Sequence, residues 1–487
     1  MTTTTTTEEL ESIAREAAAA APVWRASSAG ERASWLRAAA DALDAHADEL
    51  VAIADEETRL GETRLRGEVG RTTGQLRLFA AVVEDGSYLE VAVDDADADA
   101  QATPPRPELR RTLIGVGPVA VFSASNFPFA FSVAGGDTAS ALAAGNPVIV
   151  KAHSGHPRLS ARTATIVAAA LEAAGAPHGS LALVQGRDAG NALVQHPVVQ
   201  AAGFTGSLGG GRALFDLASG RPDPIPFYGE LGSVNPVVIT PGALAARGDT
   251  LARGLVGSFT LGVGQFCTKP GVVFVPRDAG FEDLVATAVA GVGGGPLLTD
   301  RITEAFPAGI AHLEGDPSVS VLARGAEGDE GTARPIVLTT DAAAVAARPG
   351  TLLEECFGPV TLLVRYDGRA DLLAALEAVP GSLTATLHSE ESDAVDDVLA
   401  VLQRKAGRVL FAGWPTGVAV TWSQQHGGPW PATTSLHTSV GATAIRRFLR
   451  PIVFQDAPGR LLPPHLRDAA LAALPHRRNG VLTLPAR

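Results

Sequence analysis

Two series of short β-branched segments, each segment followed by an alanine-rich stretch at helical spacing, restrict the fold of this chain more than any other feature. The first series holds GPVAVFS (117–123), NPVIVK (146–151), SLALVQG (180–186) and AAGFTGS (201–207), with helices over 136–144, 158–174 and 188–196. The second begins near 232. It holds NPVVIT (235–240), GVVFVP (271–276), PIVLTT (335–340), PVTLLVRY (359–366), LTATLHS (383–389) and RVLFAG (408–413), with helices near 242–260, 279–291, 369–378 and 391–404. Continuous apolar strands alternating with helices need a parallel sheet covered on both faces, the doubly wound arrangement that binds dinucleotides. A chain of 487 residues exceeds one ordinary core, so the second series is read as a second α/β domain.

Ahead of the first series, 8–54 carries apolar positions at helical spacing, with Trp24, Trp35, Leu36, Leu43 and Leu50 expected to face inward. A further helix is expected over 62–84. The acidic run DDADADAQ (94–101) and the proline-rich TPPRP (103–107) resist packing and read as a surface loop or an arm crossing to another subunit. The tail 441–487 is mixed. A net charge of −13 disfavours nucleic acid as a partner, because phosphate backbones need a cationic face. No apolar run of about eighteen residues predicts a membrane span. Met1 followed by six threonines and Glu8-Glu9 lacks the cationic start and apolar run of a secretory signal, so the cytoplasm is expected. There Cys267 and Cys356, the two cysteines, stay reduced.

Five clusters can carry chemistry, and each has a plainer reading when taken alone. Phe204-Thr205-Gly206-Ser207 ends a strand and opens a helix, whose N-terminus favours a pyrophosphate; it also reads as a simple strand-to-helix turn. GVGQFCTKPG (262–271) sets Cys267 in a glycine-rich loop, where backbone dipoles can stabilise a thiolate; a random cysteine is more often a small buried hydrophobe. Glu230 lies between small residues at the junction of the two series, placed to act as a general base, although glutamate is mostly solvated. Asn126, in SNFP, follows a strand end, where its amide can donate to a developing oxyanion. Lys151 ends the next strand. His153 and His156 lack a third ligand at zinc spacing, so no metal is expected. Neither Ser207 nor Ser233 sits in the elbow of a serine hydrolase, and the Trp414 and Trp430 region is expected to pack rather than to stack bases.

Taken in order, Asn126, Lys151, FTGS (204–207), ELGSVNP (230–236), GQFC (264–267) and ECFGP (355–359) resemble the aldehyde dehydrogenase superfamily over most of the chain. The resemblance implies a Rossmann-type cofactor domain (1–231, with 94–111 as an inter-subunit arm), a catalytic domain with the nucleophile (232–435), and a C-terminal return and oligomerisation segment (436–487). It implies Cys267 as nucleophile, Glu230 as general base, and Asn126 with the Cys267 backbone N–H as the oxyanion hole. Lys151 and Glu355 match cofactor ribose contacts, Gly206 and Ser207 the pyrophosphate loop, and Phe357 the residue near the nicotinamide ribose. In this chemistry a cysteine thiohemiacetal gives up hydride to the cofactor, and Glu230, with a pKa near neutral, activates water to hydrolyse the thioester.

Two features depart from the common pattern. Ser154 stands three residues after the lysine, where NAD-preferring members carry glutamate. A neutral side chain there removes repulsion from a 2′-phosphate, so NADP is the expected cofactor, with NAD accepted. GWPTGVAVTWSQQHGGPWPATTS (413–435) replaces the usual loop and resembles the branch of α-ketoglutaric semialdehyde (2,5-dioxopentanoate) dehydrogenases and NADP-dependent fatty aldehyde dehydrogenases. In that branch His426 would lie near the nucleophile, either lowering its pKa or ordering its own loop. A dioxo acid needs a cation for its carboxylate, for which Arg64, Arg66, Arg71 and Arg77 are candidates; a fatty aldehyde needs an apolar tunnel. An acyl-transferring relative and a non-catalytic one are the alternatives, and a homodimer or homotetramer is expected by analogy.

Overall fold

A computed structural model describes residues 4–97, 105–277, 279–329, 331–415 and 417–485. Among these residues the strands are, in chain order, β1 (Val91–Asp94), β2 (Leu109–Gly115), β3 (Val119–Phe122), β4 (Val148–Lys151), β5 (Leu181–Val184), β6 (Ala201–Thr205), β7 (Phe227–Glu230), β8 (Val237–Ile239), β9 (Val272–Pro276), β10 (Ser320–Arg324), β11 (Ile336–Asp341), β12 (Val360–Tyr366), β13 (Ser382–His388), β14 (Ala406–Phe411), β15 (Leu449–Gln455), β16 (His476–Arg478) and β17 (Val481–Thr483). They form three sheets.

The first sheet has the order β5-β4-β3-β6-β7 and is parallel throughout. The chain enters at β3, winds outward through β4 and β5, and returns to the other side of β3 as β6. The carboxyl ends of β3, β4, β6 and β7 therefore share one edge: Phe122 is in register with Lys151 and Phe204, and Thr205 with Glu230. Ligands of open α/β sheets bind outside such an edge, where the strand order reverses. The strand β7, four residues preceded by prolines, was not foreseen.

The N-terminal stretch read as one periodic run folds as three helices, Thr7–Ala26, Ala29–Ala45 and Ala47–Thr58. The first two begin with capping boxes built on Thr6 and Ser28, which satisfy orphan N–H groups at each start. Trp24, Trp35, Leu36, Leu43 and Leu50 are all buried as expected. With the helix Glu62–Asp85 they cover one face of the first sheet in a single core.

The second sheet, β10-β11-β12-β9-β8-β13-β14, is parallel apart from the antiparallel β10. Every residue of β13 is buried, as a strand covered on both faces requires. The third sheet, β15-β2-β1-β16-β17, joins segments more than 300 residues apart, because β2 pairs with β15 and β1 with β16. The supposed arm therefore begins and ends inside a sheet. Asp97 and Arg106 form an isolated bridge, and 98–104 lie outside the described residues. No helix is long and apolar enough to cross a membrane among the described residues.

Candidate active site

Glu230 ends β7 and is 2% exposed, far from the solvated glutamate of the plainer reading. Its Oε1 lies 2.9 Å from Nε2 of His426, and its Oε2 accepts a hydrogen bond from Ser439 Oγ. The segment that brings these partners folds back on β7: Glu230 bridges Thr433, and the Leu231 N–H donates to the Ala432 carbonyl at 2.7 Å. His426 Nε2 is also 3.6 Å from Sγ of Cys267. The ligand-capable atoms of Glu230, Cys267 and His426 all lie within 4.8 Å of one another. A cation held there would have to displace the His426–Glu230 hydrogen bond.

The Cys267 loop follows the helix Pro241–Thr260 through a turn in which Gly262, Val263 and Gly264 all have positive φ. Such a conformation costs a β-branched residue energy, so the strain at Val263 is held by surrounding contacts. Gly264 is required at its place. Its φ is +67°, and a Cβ would meet the Gly358 carbonyl oxygen at 2.2 Å. This contact sets the Cys267 loop against the loop of Glu355 and Phe357. Asn235, which sequence reasoning took only as part of a motif, fastens the loop from beneath. Its Nδ2 donates to the carbonyls of Cys267 (2.8 Å) and Lys269 (2.9 Å), while its Oδ1 accepts from the Thr384 N–H.

Asn126 is buried, and its Nδ2 donates to the Gln265 carbonyl at 3.0 Å, two residues before Cys267. The amide has two N–H bonds, so one remains for a ligand. The Asn126 carbonyl accepts from Arg64 Nη2 at 2.6 Å. Glu68 accepts from the N–H groups of Phe129 and Ala130, fixing the loop after β3. Arg64 and Arg71 turn inward over Phe127, Phe131 and Phe266. The candidates Arg66 and Arg77 do not reach the site; they pair with Asp48 and Glu62, and with Asp41 and Asp44, in exposed positions.

The electrostatics depart from two sequence expectations. Burial pushes the Cys267 thiol well above its ordinary range, and the neighbouring Glu230 carboxylate adds to the shift, so backbone dipoles do not leave a resting thiolate. Burial alone would also raise Glu230. The charge and hydrogen bond of His426, with the hydrogen bonds of Ser439 and Cys267, outweigh it and hold the carboxyl below its ordinary value rather than near neutrality.

The remaining site residues stand around the edge of the first sheet. Lys151 is half-buried at the end of β4, and desolvation lowers its pKa with no carboxylate among the described residues to offset it. Ser154 is exposed just beyond. Gly206 and Ser207 precede the helix Leu208–Ser219, where Ser207 Oγ accepts from the Gly210 N–H. A Cβ at Gly211 would meet Leu231 at 2.1 Å, while one at Gly209 would meet nothing within 4 Å. The open first turn of this helix and the uncompensated cation suit the phosphates and hydroxyls of a dinucleotide. Glu355, pushed up to about 7 by burial, accepts from the Ser233 N–H and lies against Gly232. Phe357 is half-buried beside it. Cys356 is buried, with Sγ directed at the Phe306 carbonyl. His156 is held in the core by the Ala124 carbonyl and Ser160.

The aldehyde dehydrogenase family profile matches residues 2–448. The chain is 48% identical over 466 residues to alpha-ketoglutaric semialdehyde dehydrogenase 2 of Azospirillum brasilense, covering 94% of this chain and 88% of that protein. It is 43% identical over 493 residues to alpha-ketoglutaric semialdehyde dehydrogenase of Acinetobacter baylyi, covering 98% and 92%. Among solved structures it resembles proline utilization A of Bradyrhizobium japonicum, with a TM-score of 0.78 and 24% identity over 93% of this chain. The chain spans 45% of that longer protein, a likeness of fold alone. By the extent of the profile match and the identity to both curated relatives, the chain belongs to the aldehyde dehydrogenase family.

Proposed function

We propose that the chain oxidises α-ketoglutaric semialdehyde to 2-oxoglutarate with NADP as its preferred cofactor, using Cys267 as nucleophile. The observation that carries this reading is the convergence of a half-buried Cys267 with buried His426 and Glu230 in one cluster, with Asn126 tied to the nucleophile loop. The two relatives named for this substrate, similar over nearly the whole chain, support the choice of aldehyde.

Glu230, held ionised by His426, takes the Cys267 proton as sulfur attacks the aldehyde carbon. The free N–H of Asn126 and the Cys267 backbone N–H hold the developing oxyanion; one such donor contributes about 3 kcal/mol. Lys151, Gly206, Ser207, Glu355 and Phe357 would hold the dinucleotide along the sheet edge, and when bound it would supply the hydride acceptor. Glu230 releases that proton to solvent, then draws a proton from water as it attacks the thioester and passes it to the departing sulfur, which frees the acid and restores the thiol. Ser154 adds no negative charge beside Lys151. The positive charge of Arg301 also reaches this corner, where with Lys151 it bears on His153. Both features favour a 2′-phosphate.

The division 1–231, 232–435 and 436–487 accords with the placement of the first two sheets and with the long-range pairing of the third. Exposed Val453 on β15 and Val481, Leu482 and Leu484 at and after β17 support a homodimer or homotetramer built on that sheet. Two free thiols support the cytoplasm as the compartment.

Formation of reduced cofactor from α-ketoglutaric semialdehyde, glutaric semialdehyde and a long-chain aldehyde, each with NADP and NAD, tests the reading. The highest kcat/KM is expected for the first aldehyde with NADP. A tenfold advantage for NAD overturns the cofactor assignment, preference for the long-chain aldehyde overturns the substrate, and consumption of coenzyme A overturns hydrolysis by water.

A further inference from the structure

Two arginines unused by this chemistry stand beside the nucleophile. Arg71 lies on the helix Glu62–Asp85 of the N-terminal region, and Arg408 on β14, in the second sheet. In each, Nε and Nη2 are buried and have no hydrogen-bond partner among the described residues. These two nitrogens form one edge of the guanidinium, the edge that takes both oxygens of a carboxylate at once. A buried cationic donor without a partner is costly, and here two arginines leave the same edge unpaired near one sulfur.

Their surroundings place them at the pocket. The Arg71 guanidinium rides on the rings of Phe127 and Phe131, 5.7 and 5.4 Å from the centroids, and the Phe131 ring is 6.5 Å from that of His426. Gly407, adjacent to Arg408, packs so closely on the Gly427 carbonyl that a Cβ would meet it at 2.0 Å, which sets Arg408 beside the His426 loop. The charges of both arginines act on Cys267. Arg64 differs from them, since its Nη2 is engaged by the Asn126 carbonyl.

We propose that Arg71 and Arg408 form the carboxylate-binding end of the aldehyde pocket and select short aldehydes that carry a carboxylate at the end remote from the reacting carbon. The inference rests on the reading of Cys267 as the centre of aldehyde oxidation. One region of the chain supplies each guanidinium, so the anion is gripped across the cleft in which the aldehyde lies. An uncharged aldehyde leaves both forks without an acceptor, and discrimination arises from that penalty as much as from the new contacts.

The test is the ratio of kcat/KM for α-ketoglutaric semialdehyde to that for pentanal, in the unaltered protein and in Arg71→Gln, Arg408→Gln and the corresponding lysine variants. The ratio is expected to fall at least thirtyfold in each glutamine variant, chiefly through KM for the charged aldehyde, and to recover in part with lysine. A ratio left unchanged by both glutamine variants overturns this inference alone. Oxidation of neither aldehyde by the unaltered protein overturns the reading of the site and the inference with it. A second measurement needs no substitution: glutarate is expected to protect Cys267 from alkylation by iodoacetamide more strongly than pentanamide does, and equal protection by the two contradicts the proposal.

Discussion

His426 and Glu230 share a hydrogen bond of 2.9 Å between side chains that are almost wholly buried. This contact keeps the carboxyl ionised against the cost of its burial. A carboxyl with a depressed pKa contributes stability above its unfolded value and loses it as pH falls through the folded value. In His426→Ala burial is left unopposed by the imidazole. The acid limb of the kcat/KM profile is expected to move up by about one unit or more. An unmoved acid limb would leave His426 as a residue that only orders its loop.

The same carboxylate works against ionisation of Cys267, because its charge adds to burial in raising the thiol. Glu230→Gln removes that charge. The midpoint of the pH dependence of alkylation by iodoacetamide is expected to shift to lower pH, even as steady-state turnover falls at least about a hundredfold for want of a general base. A shift to higher pH would mean that Glu230 activates the thiol more than it opposes ionisation.

Asn235 holds the carbonyls of Cys267 and Lys269 from a left-handed backbone conformation, with φ of 48°. Asn235→Ala strips both buried acceptors of a donor, and each unsatisfied group costs about 1–3 kcal/mol. Differential scanning calorimetry is expected to show a melting temperature lower by several degrees, with a larger loss in kcat than in cofactor binding. Unchanged melting would assign the loop's position to the strained turn before it.

Glu68 accepts two backbone N–H groups in a fully buried position, and burial raises its carboxyl from 4.5 to about 7. The folded chain therefore binds this proton more tightly than the unfolded one, and stability falls as pH rises from 4.5 towards 7. A shift of that size corresponds to about 3 kcal/mol. Glu68→Gln keeps the acceptor oxygen and removes the titration. Denaturant midpoints at pH 5 and pH 8 are expected to differ less in the variant than in the unaltered protein.

The chain displays part of this site openly and hides the rest, for physical reasons. Cys267, Glu230 and Asn126 are legible because each sits at a strand end or in a glycine-rich loop, where backbone geometry and side-chain chemistry coincide locally. Ser439 acts through a contact with a residue more than two hundred positions away, and nothing in its neighbours marks it, while Asn235 sits in a legible motif whose grip on the Cys267 loop only the fold reveals. Arg64 and Arg71 could be proposed only alongside Arg66 and Arg77, since helical spacing does not say which face meets the cleft. The two doubly wound sheets follow from the alternation of apolar strands with helices. The third sheet does not, because β1 and β2 find their partners in the tail and two of the strands there have only three residues.

The most direct test is a single turnover of Glu230→Gln with NADP and α-ketoglutaric semialdehyde. At a pH high enough to ionise the Cys267 thiol without Glu230, reduced cofactor should appear in a burst of about one equivalent per site, with a thioester accumulating on the peptide that carries Cys267, because deacylation then lacks its base. Absence of the burst in a folded protein competent to bind NADP, or an acyl group on any other residue, would contradict the assignment of Cys267 as nucleophile and Glu230 as the base that releases the product.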